Sequence, residues 1–331
     1  MNNASPAQAY APDFFIIGAM KSGTSTLHAM LDCHPGAFLP RGEAFYFDLD
    51  DFAQHPDFYP YDGGRWQPMD FAGQQARYAA WYRALFAQAQ PGQLCGEDST
   101  TYLPSRRAAP RIAALRPDAK ILVMLREPVA RTYSQYWHLL RHGQAHHDFE
   151  TMLRLYPQQL LQRSQYLAQL EYWAQHFPRE QIRVLLLEQL RADPQRELAG
   201  VLEFLGLPGP VPAAAPQVHA NRGVVPRWPT LQRWRNRLLW RRDMRMFMAR
   251  LPWIARPPRH WSEGPVGAVL DTWHRRYNRP RRRPPPLRDS TRALLREALH
   301  QDNAALDAHW QLDTARWWAP PDSPSPNPSP R

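Results

Sequence analysis

The side chains best suited to holding an anion cluster in Gly18-Ala19-Met20-Lys21-Ser22-Gly23-Thr24-Ser25-Thr26. An apolar run, Phe14 to Ile17, precedes them and reads as a buried strand. Ser25 to Cys33 follows, with Leu27, Met30 and Leu31 at helical spacing, and His34-Pro35-Gly36 ends it. A loop from strand to helix turns successive amides toward one point, and the helix N-terminus adds partial positive charge. Gly18 and Gly23 have the separation of the pattern G-x-x-x-x-G-K-[ST], but Thr24 stands where its lysine belongs. The lysine lies inside the loop instead, and no acidic magnesium ligand follows a strand in an obvious way. The expected chemistry is phosphate binding without nucleotide hydrolysis. Lys21 is the charged group, and Ser22, Gly23, Thr24, Ser25 and Thr26 form the cradle.

A second constellation follows the apolar run Lys120 to Leu125: Arg126-Glu127-Pro128-Val129-Ala130-Arg131-Thr132-Tyr133-Ser134. Pro128 suits the first turn of a helix. Arg126 then sits at the carboxyl end of a strand, where open α/β sheets bind ligands, with Ser134 about two turns along the helix. Together they could hold a second phosphate, the arginine through a bidentate contact. Taken alone, Arg126 and Glu127 read equally well as a surface ion pair.

These segments need a scaffold, and the remaining sequence supplies one. Lys120–Leu125 and Ile182–Leu187 are continuous apolar runs between helical patterns, as strands covered on both faces should be. Ala44 to Phe47 is a shorter strand candidate. Helices are expected over about 74–88, 104–115, 128–143, 164–177 and 194–205. The fold class is therefore α/β: a P-loop-type parallel sheet flanked by helices, with a helical C-terminal extension. Residues 1–11 read as a flexible N-terminus and 12–207 as the α/β core. Residues 208–290 form a Pro/Arg-rich insertion, 291–318 a closing helical segment, and 319–331 a disordered tail.

The 331 residues carry a net charge of +11, and all the basic residues except Lys21 and Lys120 are arginine. Such a balance favours anionic partners without choosing among them. With two cysteines a disulfide framework is not expected, and no apolar stretch reaches membrane-spanning length. The expected compartment is the cytoplasm.

The two anion-binding segments together resemble the sulfotransferase family that uses 3′-phosphoadenosine-5′-phosphosulfate. In that family a lysine-bearing loop holds the 5′-phosphosulfate and an R-x-P-x-x-R-x-x-S segment holds the 3′-phosphate; Arg126, Pro128, Arg131 and Ser134 stand at those spacings. Tyr166, Leu170, Trp173 and Phe177, then Ile182–Leu187, Glu188, Leu190, Pro194 and Phe204–Leu207, are similar to the family's central block. Asn303, Leu306 and Trp317 are similar to its closing segment, and the subgroup resembled is the bacterial and Golgi carbohydrate-type enzymes. The resemblance implies 3′-phosphoadenosine-5′-phosphosulfate as co-substrate, no metal, and a small-molecule or glycan acceptor carrying a hydroxyl or amine. It makes Lys21 the group that neutralises the leaving phosphate and Glu43 the base. Glu43 matches the glutamate of a K-E-P-H-F-F segment in which Gly42 replaces the lysine and Phe45 the histidine. Arg41 is expected to supply positive charge to the acceptor, and Asp98, in a G-E-K-[ST]-P-x-Y-like loop, to contact it. Arg222 and Gly223 are matched to a late basic-glycine loop over the 3′-phosphate.

Other features carry less. His138, His142, His146 and His147 have no third ligand of metal geometry and read as a solvated helix end. Residues 231–253, with Trp234 and Trp253 among arginines, could make weak peripheral membrane contact or bury their apolar side chains. No nucleic-acid module is recognisable, and the sequence does not reveal an oligomeric state. Two other readings stay open: a P-loop kinase or phosphotransferase, argued against by the displaced lysine, and a non-catalytic basic nucleotide-binding protein.

Overall fold

The computed structural model describes residues 11–59, 61, 64–212, 225–239, 264–278, 280–281 and 284–319. Arg222 and Gly223 lie outside the described residues. So do residues 1–10 and 320–331, where almost all of the expected N-terminal and C-terminal tails fall, and most of the 231–253 stretch.

Five parallel strands form the main sheet in the order β2-β3-β1-β4-β5: β1 (Phe14–Gly18), β2 (Ala37–Phe38), β3 (Leu94–Asp98), β4 (Lys120–Leu125) and β5 (Ile182–Leu186). β1 lies at the centre, with Phe14 opposite Gly96 on one side and Lys120 on the other. Alternating side chains enter two cores, as the two-residue repeat of a strand requires. Phe14 and Ile16 join α1 (Thr24–Asp32) and the later α9 (Pro194–Leu205) on one face. Phe15 and Ile17 face α2 (Gln75–Ala84), α3 (Ala108–Leu115) and α7 (Tyr166–Ala174) on the other. Both faces being covered explains why β1, β4 and β5 read as unbroken apolar runs.

After β4 comes α4 (Pro128–Arg141), with Pro128 at its first turn and the Glu127 side chain accepting from the amides of Val129 and Ala130. Glu127 is thus a helix cap rather than half of a surface ion pair. Two short helices, α5 (Phe149–Leu155) and α6 (Pro157–Leu161), lead to a tight turn over Gln162–Ser164 and then α7. β5 runs into α8 (Leu187–Ala192) and α9, which is capped by Asp193 and closed by Gly206 in the left-handed region.

Two β-strand assignments change. Ala44 to Phe47 is not a strand but a buried turn. Its amides are held by side chains: Ser99 Oγ accepts from Ala44 and Phe45, and Tyr102 Oη from Phe47. Phe45 has φ 56°, which no strand residue can hold. The sheet position is taken by β3, whose Leu-Cys-Gly-Glu-Asp sequence has little strand propensity. Its buried Glu97 is satisfied by the hydroxyls of Tyr82, Ser99 and Tyr102.

Among the described residues the C-terminal extension contains β6 (Val225–Pro226), α10 (Pro229–Leu239), α11 (Pro265–Tyr277), β7 (Pro280–Arg281), α12 (Asp289–Asn303), α13 (Leu306–Trp310) and α14 (Ala315–Trp318). β6 and β7 pair antiparallel. α12 packs on α4 and α7, and Asn303 joins it to the core: its amide oxygen accepts from Tyr166 N and its amide nitrogen donates to Ser164 O. Among the described residues no helix is long and apolar enough to cross a membrane.

Candidate active site

The loop after β1 is built by conformations that ordinary residues avoid. Gly18 has φ 140° and Gly23 φ 97°, and Lys21 itself sits in the left-handed region at φ 71°. A side chain at Gly23 would meet Leu187 Cδ1 at 2.7 Å, so only glycine fits there without displacement. Ala19 N donates to Met124 O at 2.7 Å, tying the loop to the end of β4. Gly23 is the N-cap of α1, so the amides of Thr24 and Ser25 have no intrahelical acceptor. Around them Thr24 and Thr26 are buried and Ser25 is exposed.

The second segment meets this loop. Arg126, at the end of β4, donates from Nη1 to the Lys21 carbonyl oxygen at 3.3 Å. Both segments therefore lie at the carboxyl edge of the same sheet, on adjacent strands, as a single crevice requires. Ser134 is half-buried on α4. Arg131 is fully buried and structural, bonded through Nε to Ser164 Oγ and through Nη2 to Leu160 O.

One turn beyond Ser134, His138 reaches the lysine, with Lys21 Nζ and His138 Nδ1 3.4 Å apart. This overturns the expectation of a solvated helix end. Burial, with the positive charge of Lys21 next in weight, pushes the His138 imidazole down to about 2, so it stays neutral. A neutral ring offers Nδ1 as acceptor to the ammonium. The His142 ring lies beside it, tilted by 35°, with the centroids 4.1 Å apart. The spacing from Ser134 to His138 is four residues, one face of a helix, and that was the available sequence signal.

Burial also lowers Lys21, to about 8, with further lowering by Arg141, Arg126 and Arg131 and an opposing pull from Glu43. The cationic side chains thus strain against one another, which is what a site arranged for a multiply charged anion should do. The donor set fits a nucleotide bearing phosphates at two positions: backbone amides, threonine hydroxyls, an ammonium and a guanidinium.

Glu43 lies beyond the lysine on the turn after β2. Its Oε1 accepts from Thr100 N at 2.8 Å and from Thr100 Oγ1. Burial and then the neighbouring Asp98 carboxylate raise its pKa, against the Thr100 hydrogen bonds and Arg163. Asp98 is itself buried at the end of β3, 3.6 Å from His28 Nδ1, and its pKa is raised by burial against the pull of that histidine. Arg41 is exposed two residues before Glu43. Arg163 had no signal in the sequence: the turn after α6 brings it to Met20 Sδ at 3.6 Å and Gln54 Oε1 at 2.9 Å, within electrostatic reach of Glu43 and Asp48.

Comparison with known proteins agrees with this geometry. A model described as the sulfotransferase family matches residues 12–211. The human heparan sulfate glucosamine 3-O-sulfotransferases 3B1 and 3A1 are each 31% identical over 204 residues, 59% of this chain and 46% and 44% of theirs. Human heparan sulfate glucosamine 3-O-sulfotransferase 5 is 28% identical over 224 residues, 64% of this chain and 58% of its own. The match thus spans about half the length of these relatives. Among solved structures, a sulfotransferase from Alicyclobacillus acidocaldarius superposes with TM-score 0.61 at 24% identity. That likeness, over 94% of this chain and all of the other, is one of fold.

Proposed function

The chain belongs to the sulfotransferase family, and from that premise we propose that it transfers a sulfuryl group to an acceptor hydroxyl or amine on a carbohydrate or glycolipid. The observation that carries the proposal is the convergence of Lys21, Arg126 and Glu43 at one edge of the sheet. The donor, 3′-phosphoadenosine-5′-phosphosulfate, would supply the sulfuryl group and leave as the 3′,5′-bisphosphate.

Residues Ser22 to Thr26 would hold the 5′-phosphate through main-chain amides and the hydroxyls of Thr24, Ser25 and Thr26. Arg126 and Ser134 would hold the 3′-phosphate, with Arg222 and Gly223 closing over it. Lys21 would place its ammonium against the bridging oxygen, offsetting charge that grows there as the bond to sulfur breaks. His138, neutral and hydrogen-bonded to the ammonium, would fix its direction. Glu43 would take the acceptor proton as the new bond to sulfur forms, and its raised pKa brings it closer to neutral pH, where such a base works best. Asp98, buried beside Glu43, would act on the acceptor through that carboxylate, whereas exposed Arg41 could meet the acceptor directly.

The carbohydrate acceptor rests on the names of the relatives, and the cytoplasmic compartment on the low cysteine content. The test is transfer of label from the donor to fractionated glycans and glycolipids. Label should appear on an acceptor, and Lys21→Ala should abolish it. Magnesium-dependent turnover of ATP without sulfuryl transfer would overturn the reading in favour of a phosphotransferase.

A further inference from the structure

Helices α10 and α11 are packed inside out. A surface helix ordinarily turns its apolar stripe inward and its polar side chains to water. Here the polar residues are inside. Asn236 is completely buried, donating to Leu140 O at the end of α4 and to Ala145 O in the loop after it. Gln232 bonds to Asn236 and His274, Arg235 pairs with Asp271 at 2.7 Å, and Asn278 bonds to the backbone of Trp228. Every one of these groups finds a partner, so the orientation is specified rather than accidental.

The apolar side chains point the other way. Leu231, Trp234 and Leu238 of α10 are exposed, Trp234 at 62%. So are Val266, Val269, Leu270, Trp273 and Tyr277 of α11, at helical spacing along one face, with Trp273 at 61%. An outward apolar surface on two adjoining helices needs an apolar partner.

The charge around it says which one. Within the described residues 227–239 and 264–278 the sequence holds six arginines against one acidic residue, a net +5, and three tryptophans. Arg227 lies over the Trp228 ring at 4.7 Å and Arg237 over Trp234 at 5.6 Å. Tryptophan beside arginine on an apolar helical face is the chemistry of the lipid headgroup region, where the ring enters the interface and the guanidinium meets anionic phosphate.

We propose that the outward faces of α10 and α11 seat this protein on an anionic lipid membrane surface. Because α10 is bonded through Asn236 to the end of α4 that carries His138, and α11 is bonded in turn to α10, docking there holds the sulfuryl-transfer crevice beside the bilayer. The surface stands on its own observations and does not depend on the proposed activity.

The test is co-sedimentation of the full chain with phosphatidylcholine vesicles, with and without phosphatidylglycerol. Binding is expected only with phosphatidylglycerol, to weaken with added salt, and to be lost in the double variant Trp234→Ser, Trp273→Ser. The pair Arg233→Gln, Arg237→Gln should weaken it roughly thirtyfold, since each arginine removed costs about a factor of five. Nucleotide affinity should be unchanged in both variants, which separates this surface from the crevice. Equal binding to neutral vesicles, or none to either, overturns the proposal. A concentration-dependent dimer dissolved by the tryptophan variant overturns it in favour of a second copy. A large fall in melting temperature in that variant, with vesicle binding intact, assigns the face to residues 240–263 and overturns it as well.

Discussion

The affinity of this protein for adenosine 3′,5′-bisphosphate should fall steeply as pH rises above about 8, because Lys21 must be charged to hold the nucleotide. Burial and the nearby arginines lower Lys21 from 10.5 to about 8 in the folded protein. At about 1.4 kcal/mol per pH unit, this amounts to roughly 3 kcal/mol opposing its charge until an anion arrives. Bound phosphate stabilises the ammonium and raises its pKa again. The sign follows from proton uptake. Below about pH 8 both free and bound protein carry the proton, and affinity is level. Above it, binding must take up a proton, so affinity drops by up to about tenfold per pH unit until the pKa of the complex is reached. Phosphate groups titrate near pH 6 and stay fully charged across this window, and His138, held down at about 2, does not titrate there. Calorimetric titration between about pH 7 and 10 reads the slope directly. Lys21→Met should bind weakly with no slope over that range, and Lys21→Arg, always protonated, should lose the slope while retaining charge. A wild-type affinity level from pH 7 to 10, or an unchanged slope in Lys21→Met, would refute the assignment of this lysine to the anion.

Three further outcomes are expected. Glu43→Gln should lower kcat by about 10² to 10⁴ while leaving bisphosphate affinity within about twofold, as measured by labelled transfer and calorimetry. Arg126→Ala should weaken binding of adenosine 3′,5′-bisphosphate by about 2 kcal/mol or roughly thirtyfold, the contribution of a hydrogen bond to a charged group. The loss should vanish for a nucleotide lacking the 3′-phosphate, and an equal loss for both would remove Arg126 from that contact. Glu97, buried and raised to about 7 from 4.5, binds its proton more tightly folded than unfolded. Its contribution to stability is therefore greatest below about pH 4.5 and is lost as pH rises to about 7, a change of roughly 3 kcal/mol that Glu97→Gln should flatten in melting curves.

The parts of the molecule that local pattern can specify were legible. β1, β4 and β5 are buried on both faces and show it as apolar runs; α4 announces itself through Pro128 and α9 through Asp193 and Gly206. The loop around Lys21 and the segment from Arg126 were readable as candidates because each sits at a strand end, where position and chemistry coincide. β3 was hidden because Glu97 and Asp98 make poor strand residues until three hydroxyls and a histidine satisfy them, and those partners come from other elements. Residues 44–47 misled for the converse reason: their aromatic content suits a strand, yet their amides bond to Ser99 and Tyr102 rather than to a neighbouring chain. Arg163 reaches the site only through a turn whose course is set by Arg131 and Asn303 holding Ser164 from both sides. For α10 the sequence left both directions open, since an amphipathic pattern gives the stripe but not the side it faces, and α11 carried no reading of its own.

The arrangement of charge at the crevice separates two tasks. Lys21 and Arg126 each have a pKa lowered chiefly by burial, and the cations beside them add to it. Glu43 and Asp98 are both raised by burial and sit against one another. Left to themselves, the acidic pair and the cations would relax toward direct ion pairs. The fold prevents that collapse: Glu43 is bonded to Thr100, Asp98 faces His28, Lys21 is turned onto neutral His138, and Arg126 is steadied by one bond from Nη1 to the Lys21 carbonyl. Cationic groups that are charged but not neutralised by carboxylates remain open to an external anion. A carboxylate whose proton affinity has been raised remains open to a proton. Placing the two sets side by side, without letting them neutralise each other, gives one crevice a cationic half and a half of raised proton affinity, and the in-line transfer proposed above would need both at once.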